Sequence, residues 1–161
     1  MSDDVPEYHR GRSRRTGRSG LTRWPGDDKH NVLLVTRGHP FARDPFFDIF
    51  ESNAGIEWSG VEHPAAQKMF NPTFAEGFDC FVLYDMPGIV FTPTGPECYD
   101  PPAEYVAGVR ALGDAGFPFV IMHHACAAWP TWPEWAELVG GHFLYQSGES
   151  RGEARPDSGY V

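Results

Sequence analysis

Cys80-Phe81-Val82-Leu83-Tyr84-Asp85 decides the fold. An apolar run this continuous reads as a strand covered on both faces, not as an alternating surface strand. It stops on a carboxylate, and three further runs share the design. Val32-Leu33-Leu34-Val35-Thr36 leads to His39, and Glu57-Trp58-Ser59-Gly60-Val61 leads to Glu62-His63. Pro118-Phe119-Val120-Ile121-Met122 stops at His123-His124. Four strands are therefore expected near residues 31–37, 56–61, 79–84 and 118–122.

Helical patterns fill the gaps between them. Asp44 reads as an N-cap, with Pro45 at the first helical position, Phe46, Phe47 and Phe50 facing inward, and Gly55 closing the helix. A short helical segment over 64–70 is closed by Asn71-Pro72. A longer helix over 103–115 places Tyr105, Val106, Val109 and Leu112 on one face, and Gly116 and Pro118 stop it. A last helix runs from Pro133 to Gly140-Gly141, followed by a strand-like Phe143-Leu144-Tyr145. Residues 86–102 hold five prolines and read as one long loop, of the kind that serves as a lid or binding loop.

Alternating strands and helices imply parallel pairing through crossovers. The expected architecture is a flavodoxin-like parallel sheet sandwiched by helices, in order 2-1-3-4 with a fifth strand near 143–145. In such sheets the ligand crevice lies outside the carboxyl ends of the strands, where strand order reverses. That places His39 and Asp85 on the border of one crevice.

Composition limits the partners. The 161 residues carry a net charge of −9, divided into +2 over residues 1–29 and −11 over 30–161. An acidic folded part argues against nucleic acid, whose phosphates require clustered cations. The Arg- and Ser-rich residues 1–29 read as a disordered extension. Three cysteines without paired spacing point to reduced thiols, and no apolar stretch is long enough to span a bilayer. A cytoplasmic location with no membrane partner is the expectation.

Each polar residue at a strand end has two readings. His39 and His123 are candidate ligands for a divalent metal such as zinc, which needs about three protein donors; alternatively the histidines hydrogen-bond loop backbone. Asp85 is a candidate general base or sugar-hydroxyl acceptor, or else a turn former. His63 and His124 are candidate substrate-binding residues, His63 with the alternative of capping the helix that follows. Trp129 and Trp132, in a run repeated at Trp135, offer faces for stacking on sugars, or pack a core. Cys126 lies three residues past the fourth strand and reads as a buried thiol rather than a nucleophile.

Val35-Thr36-Arg37-Gly38-His39-Pro40-Phe41, Glu62-His63-Pro64-Ala65-Ala66, Leu83-Tyr84-Asp85-Met86-Pro87-Gly88 and His123-His124-Ala125 resemble the ThuA-like (trehalose-utilisation) family. Trp129-Pro130-Thr131-Trp132-Pro133-Glu134 and Leu138-Val139-Gly140-Gly141-His142-Phe143 extend the resemblance over residues 31–161. It implies a class I glutamine amidotransferase-like fold and a link to disaccharide utilisation. Where amidotransferases carry a nucleophilic cysteine on a tight elbow, this chain has His123, so amidotransferase activity is not expected. The resemblance makes His123 and Asp85 the candidate catalytic pair acting on a sugar-like small molecule. Family members continue beyond Val161, so the domain 30–161 is expected to lack their C-terminal part. A second copy of the chain covering an open sheet edge is one partner reading. A non-catalytic ligand- or partner-binding domain, or a truncated remnant, is the other functional reading.

Overall fold

The computed structural model describes residues 29–143. Its centre is β1 (His30–Arg37), which pairs in parallel with β2 (Ile56–Glu62) on one side and with β3 (Cys80–Asp85) on the other. Beyond β3 lies the three-residue β6 (Phe119–Ile121), also parallel, giving the order β2-β1-β3-β6. This is the expected order, with a crossover at the β1/β3 boundary.

The two-residue period of a strand sorts the core into two layers. Leu33 and Val35 of β1 with Phe81 and Leu83 of β3 face one side. There they meet Tyr105, Val109 and Leu112 of α3 (Ala103–Asp114) and Trp135 of α4 (Pro133–Val139). Val32, Leu34, Val82 and Tyr84 face the other side and pack on Phe46 and Phe50 of α1 (Arg43–Glu51). Among the described residues, a four-stranded parallel sheet thus lies between helices on both faces. Gly108 lets α3 approach closely, because a Cβ there would collide with the Phe70 carbonyl oxygen.

Local expectations needed correction at four places. Asp44 is not the cap of α1: Ala42 holds that position, and Asp44 sits in the first turn, where its charge favours the helix dipole. Gly55 does not close α1 either. Ser52 does so in a right-handed conformation, its hydroxyl donating to the Asp48 carbonyl at 2.6 Å, so no left-handed residue is needed. Asn71-Pro72 opens an element rather than closing one. The 3-10 turn Ala65–Met69 ends at Phe70, and the Asn71 side chain accepts from Phe74 N–H to cap α2 (Pro72–Ala75).

The fourth correction is the largest. Within 86–102 the chain forms an antiparallel hairpin, β4 (Ile89–Thr92) with β5 (Gly95–Cys98). Ile89, Val90 and Phe91 are good strand formers, and the Thr92 hydroxyl closes the turn on the Gly95 carbonyl at 2.7 Å. Proline density made this segment look like a loop, yet Pro96 is tolerated because it lies in a two-stranded ribbon. The long helix and the last helix follow expectation, and Gly140 (φ 82°) closes α4 in the left-handed conformation.

The fifth strand expected near 143–145 lies largely outside the described residues, as does the extension over 1–29 apart from Lys29. Phe143 N–H donates to the Cys126 carbonyl at 3.2 Å, which docks that residue on the turn after β6. Among the described residues, no helix is long and apolar enough to cross a membrane.

Candidate functional site

In the register of the central strands, Glu62, Thr36 and Tyr84 stand side by side. One residue further, Arg37 stands between the level of His63 and that of Asp85. Parity then decides the faces. Asp85 continues the Phe81, Leu83 series and His63 continues from Val61, so both point into the layer beneath α3. Their backbones are two strand spacings apart, roughly 10 Å. The side chains span this gap over the end of β1: His63 Nε2 lies 2.7 Å from Asp85 Oδ2. Both are buried, at 8% and 1% exposure.

The end of β1 is shaped to allow this. Arg37 (φ 107°) and Gly38 (φ 99°) turn the chain away sharply, and a Cβ on Gly38 would collide with the Met86 carbonyl. The Arg37 guanidinium donates to the His63 carbonyl at 2.8 Å, and the Arg37 carbonyl accepts from Met86 N–H at 2.8 Å. The turn is thereby tied to the strand end on either side of it.

Tyr105 of α3 and Trp129 complete the buried cluster. Their ring centroids lie 6.3 and 6.1 Å from that of His63 and 5.2 Å from each other. Trp129 takes a left-handed backbone (φ 51°), rare for a bulky residue and a form of stored strain. It is held there by Trp129 N–H donating to the Pro87 carbonyl at 2.8 Å. Gly88 passes so close that a Cβ would come within 2.8 Å of the indole. Burial pushes the Tyr105 hydroxyl well above its usual pKa and the Asp85 charge adds to this, while the approach of the Trp129 indole N–H, short of a well-formed hydrogen bond, favours the phenolate and acts the other way. Tyr105 is therefore a neutral phenol at physiological pH.

The other three candidate histidines, His39, His123 and His124, form a separate group on the opposite face. His39 Nε2 donates to the Tyr84 carbonyl (3.1 Å), and its Nδ1 lies 3.3 Å from the Pro40 carbonyl. Its ring stacks on His124 at 3.6 Å and meets Tyr84 edge-on at 4.6 Å. His123 is exposed and tilts against His124, with centroids 4.3 Å apart. Burial, then His39 and His123, lower the pKa of His124 to about 4. Adjacent residues Tyr84 and Asp85 face opposite ways, which is why His39 and Asp85 do not share a crevice. No hydrogen bond, ion pair or ring contact joins His123 to Asp85.

These stacked imidazoles present faces rather than converging nitrogens. Among the described residues, no group of three or more His, Cys, Asp or Glu is placed to hold a metal ion. His39 and His123 therefore do not form a fitting donor set by themselves.

Trp129 and Trp132 are buried, and with Cys126, Pro130, Trp135 and His142 they border a cavity of about 370 Å³. Trp132 Nε1–H donates to Glu134 at 3.2 Å, and Trp135 Nε1–H donates to the Ala125 carbonyl at 2.9 Å. Cys126 borders the same cavity, and burial pushes its thiol pKa up, away from the reactive thiolate. From sequence Tyr105 reads only as part of the apolar face of its helix, not as a site residue. The available signal was its hydroxyl, which needs a partner when buried.

No family model, curated protein or solved structure matches this chain.

Proposed function

We propose that this chain is a ThuA-like domain of flavodoxin-like, class I glutamine amidotransferase-like type, acting on a sugar-like ligand at the carboxyl ends of its parallel strands. One observation carries the reading: the buried His63–Asp85 pair, 2.7 Å between heteroatoms, at the ends of β2 and β3. A carboxylate that accepts from Nε2–H fixes the imidazole tautomer and leaves the Nδ1 lone pair as a base. His63 is then the proton acceptor from a ligand hydroxyl, and Asp85 is the residue that orients it. This modifies the catalytic pairing expected from sequence by putting His63 in the role given to His123.

Trp129 and Trp132 provide aromatic walls that suit the apolar faces of a sugar ring. His39, His123 and His124 lie at the same end of the sheet, where His123 and His124 supply further hydrogen-bonding groups toward a ligand that extends over it and His39 supports them through its stack on His124. Three free cysteines agree with a reducing, cytoplasmic setting. Among the described residues β6 ends the sheet, and this is the strand to which a second copy would add.

Thermal denaturation with trehalose and a panel of other disaccharides tests the reading. A ligand at a hundred times its dissociation constant stabilises by about 2.7 kcal/mol, which raises the melting temperature by several degrees. Loss of that rise in His63→Asn and Asp85→Asn, both still folded, is expected. An unchanged melt with every sugar overturns the reading. Burial of His63, Asp85, Tyr105 and Trp129 favours a second reading, a non-catalytic binding domain. Binding without any new product on prolonged incubation selects it.

A further inference from the structure

Four buried polar atoms in the cluster beneath α3 have no hydrogen-bond partner in the protein: His63 Nδ1, Asp85 Oδ1, Tyr105 OH and Trp129 Nε1. They belong to side chains that are mutually adjacent. The His63, Tyr105 and Trp129 rings form a triangle with sides of 6.3, 6.1 and 5.2 Å, and Asp85 is bonded to the first of them. Leaving one such group unpaired in a core costs about 1–3 kcal/mol, and four together call for a common partner.

Their chemistry selects what that partner is. With Nε2–H given to Asp85, His63 Nδ1 is an acceptor, and Asp85 Oδ1 is an acceptor too. Trp129 Nε1–H is only a donor, and the neutral Tyr105 hydroxyl serves as either. A cation would be opposed by the indole N–H, and an anion by the carboxylate oxygen. An O–H oxygen satisfies both sets: it donates to the two acceptors and accepts from the indole and phenol. The geometry points to a site for one neutral hydroxylic oxygen, held jointly by His63, Asp85, Tyr105 and Trp129. A water molecule is its simplest occupant, since buried waters make about three hydrogen bonds to otherwise unpaired groups. A hydroxyl of an alcohol or sugar is the other source of the same chemistry.

The site stands on unpaired atoms, independently of the sugar reading, and its test separates the two. Nuclear Overhauser and rotating-frame spectra of the ¹⁵N-labelled full chain are recorded at the Trp129 indole N–H, assigned through its contacts to the Tyr105 ring. A water cross-peak whose sign in the rotating frame marks dipolar contact, not proton exchange, is expected. It persists in Tyr105→Phe, which removes relay through the phenol; if that variant fails to fold, the rotating-frame sign alone decides. The same spectra with trehalose distinguish the sources. A water peak replaced by a sugar contact marks a ligand hydroxyl in the site, and an unchanged peak marks water. An indole N–H without a cross-peak to water or sugar, which direct bonding to Tyr105 would give, overturns the proposal. A failed thermal shift with sugars overturns the function above and leaves this site standing.

Discussion

His63 reaches over the end of β1 to place Nε2 2.7 Å from Oδ2 of Asp85, joining the ends of β2 and β3 across β1, which contributes no side chain to the bond. The pair is buried, so removing either member leaves the other without the compensation that burial demands. The two removals differ in cost. His63→Ala strands a carboxylate in the core and is expected to cost about 3–5 kcal/mol. Asp85→Asn keeps the shape and is expected to cost about 1–3 kcal/mol. Urea denaturation ranks them, and equal losses would overturn that ranking.

Gly108 lies inside α3, where alanine normally gains about 1 kcal/mol through helix propensity. Here the sign reverses, because the new methyl would meet the Phe70 carbonyl oxygen, which is backbone and cannot move aside cheaply. Overpacking of this kind costs about 1–3 kcal/mol or more. Gly108→Ala should lower the urea midpoint, and Gly113→Ala, on the exposed side of the same helix, should leave it unchanged or raise it. A stabilised Gly108→Ala would show that α3 does not pack as closely as described.

The His39–His124 stack makes stability depend on acid. The folded state holds the His124 pKa at about 4, below the usual 6.5, so the unfolded chain takes up the proton first as pH falls. Stability from this group is whole above pH 6.5, declines between 6.5 and about 4, and then levels off. Discounted for solvent around a half-exposed ring, the loss is on the order of 1 kcal/mol. Comparing the native chain with His124→Asn at pH 7 and pH 4.5 isolates it. An identical pH dependence in both would show that His124 is not the group responsible.

Thiol reactivity should follow exposure. Cys98 lies exposed on β5, whereas burial raises the pKa of Cys126, and burial with the neighbouring Asp79 charge raises that of Cys80. With iodoacetamide at pH 7, Cys98 should react roughly tenfold faster than either, in line with thiolate access. Peptide mass spectrometry reads the order directly. Rapid alkylation of Cys126 would instead revive it as a nucleophile.

Much of the frame was legible in the chain. The four apolar runs, the parallel order β2-β1-β3-β6 and the helices over 103–114 and 133–139 follow from periodicity and from Gly116 and Gly140 as stops. The hairpin over 89–98 was not legible, because Pro93, Gly95 and Pro96 carry loop signals that only cross-strand pairing overrides. The strand ends were legible as a place for chemistry, but their grouping was not.

By itself the sequence determined that polar residues would gather at the carboxyl ends of buried strands, since hydrophobic period and turn chemistry are local. It also determined, through strand parity, that Tyr84 and Asp85 must face opposite sides. Only the tertiary structure decided who meets whom. His63 comes to Asp85, and His39 goes instead to His124 and the Tyr84 carbonyl. Those choices rest on the inter-strand register and on the tight Arg37-Gly38 turn. They also rest on the approach of α3, which brings Tyr105 to the same buried pair from far along the chain. Each is a long-range fact of packing that no window of sequence contains.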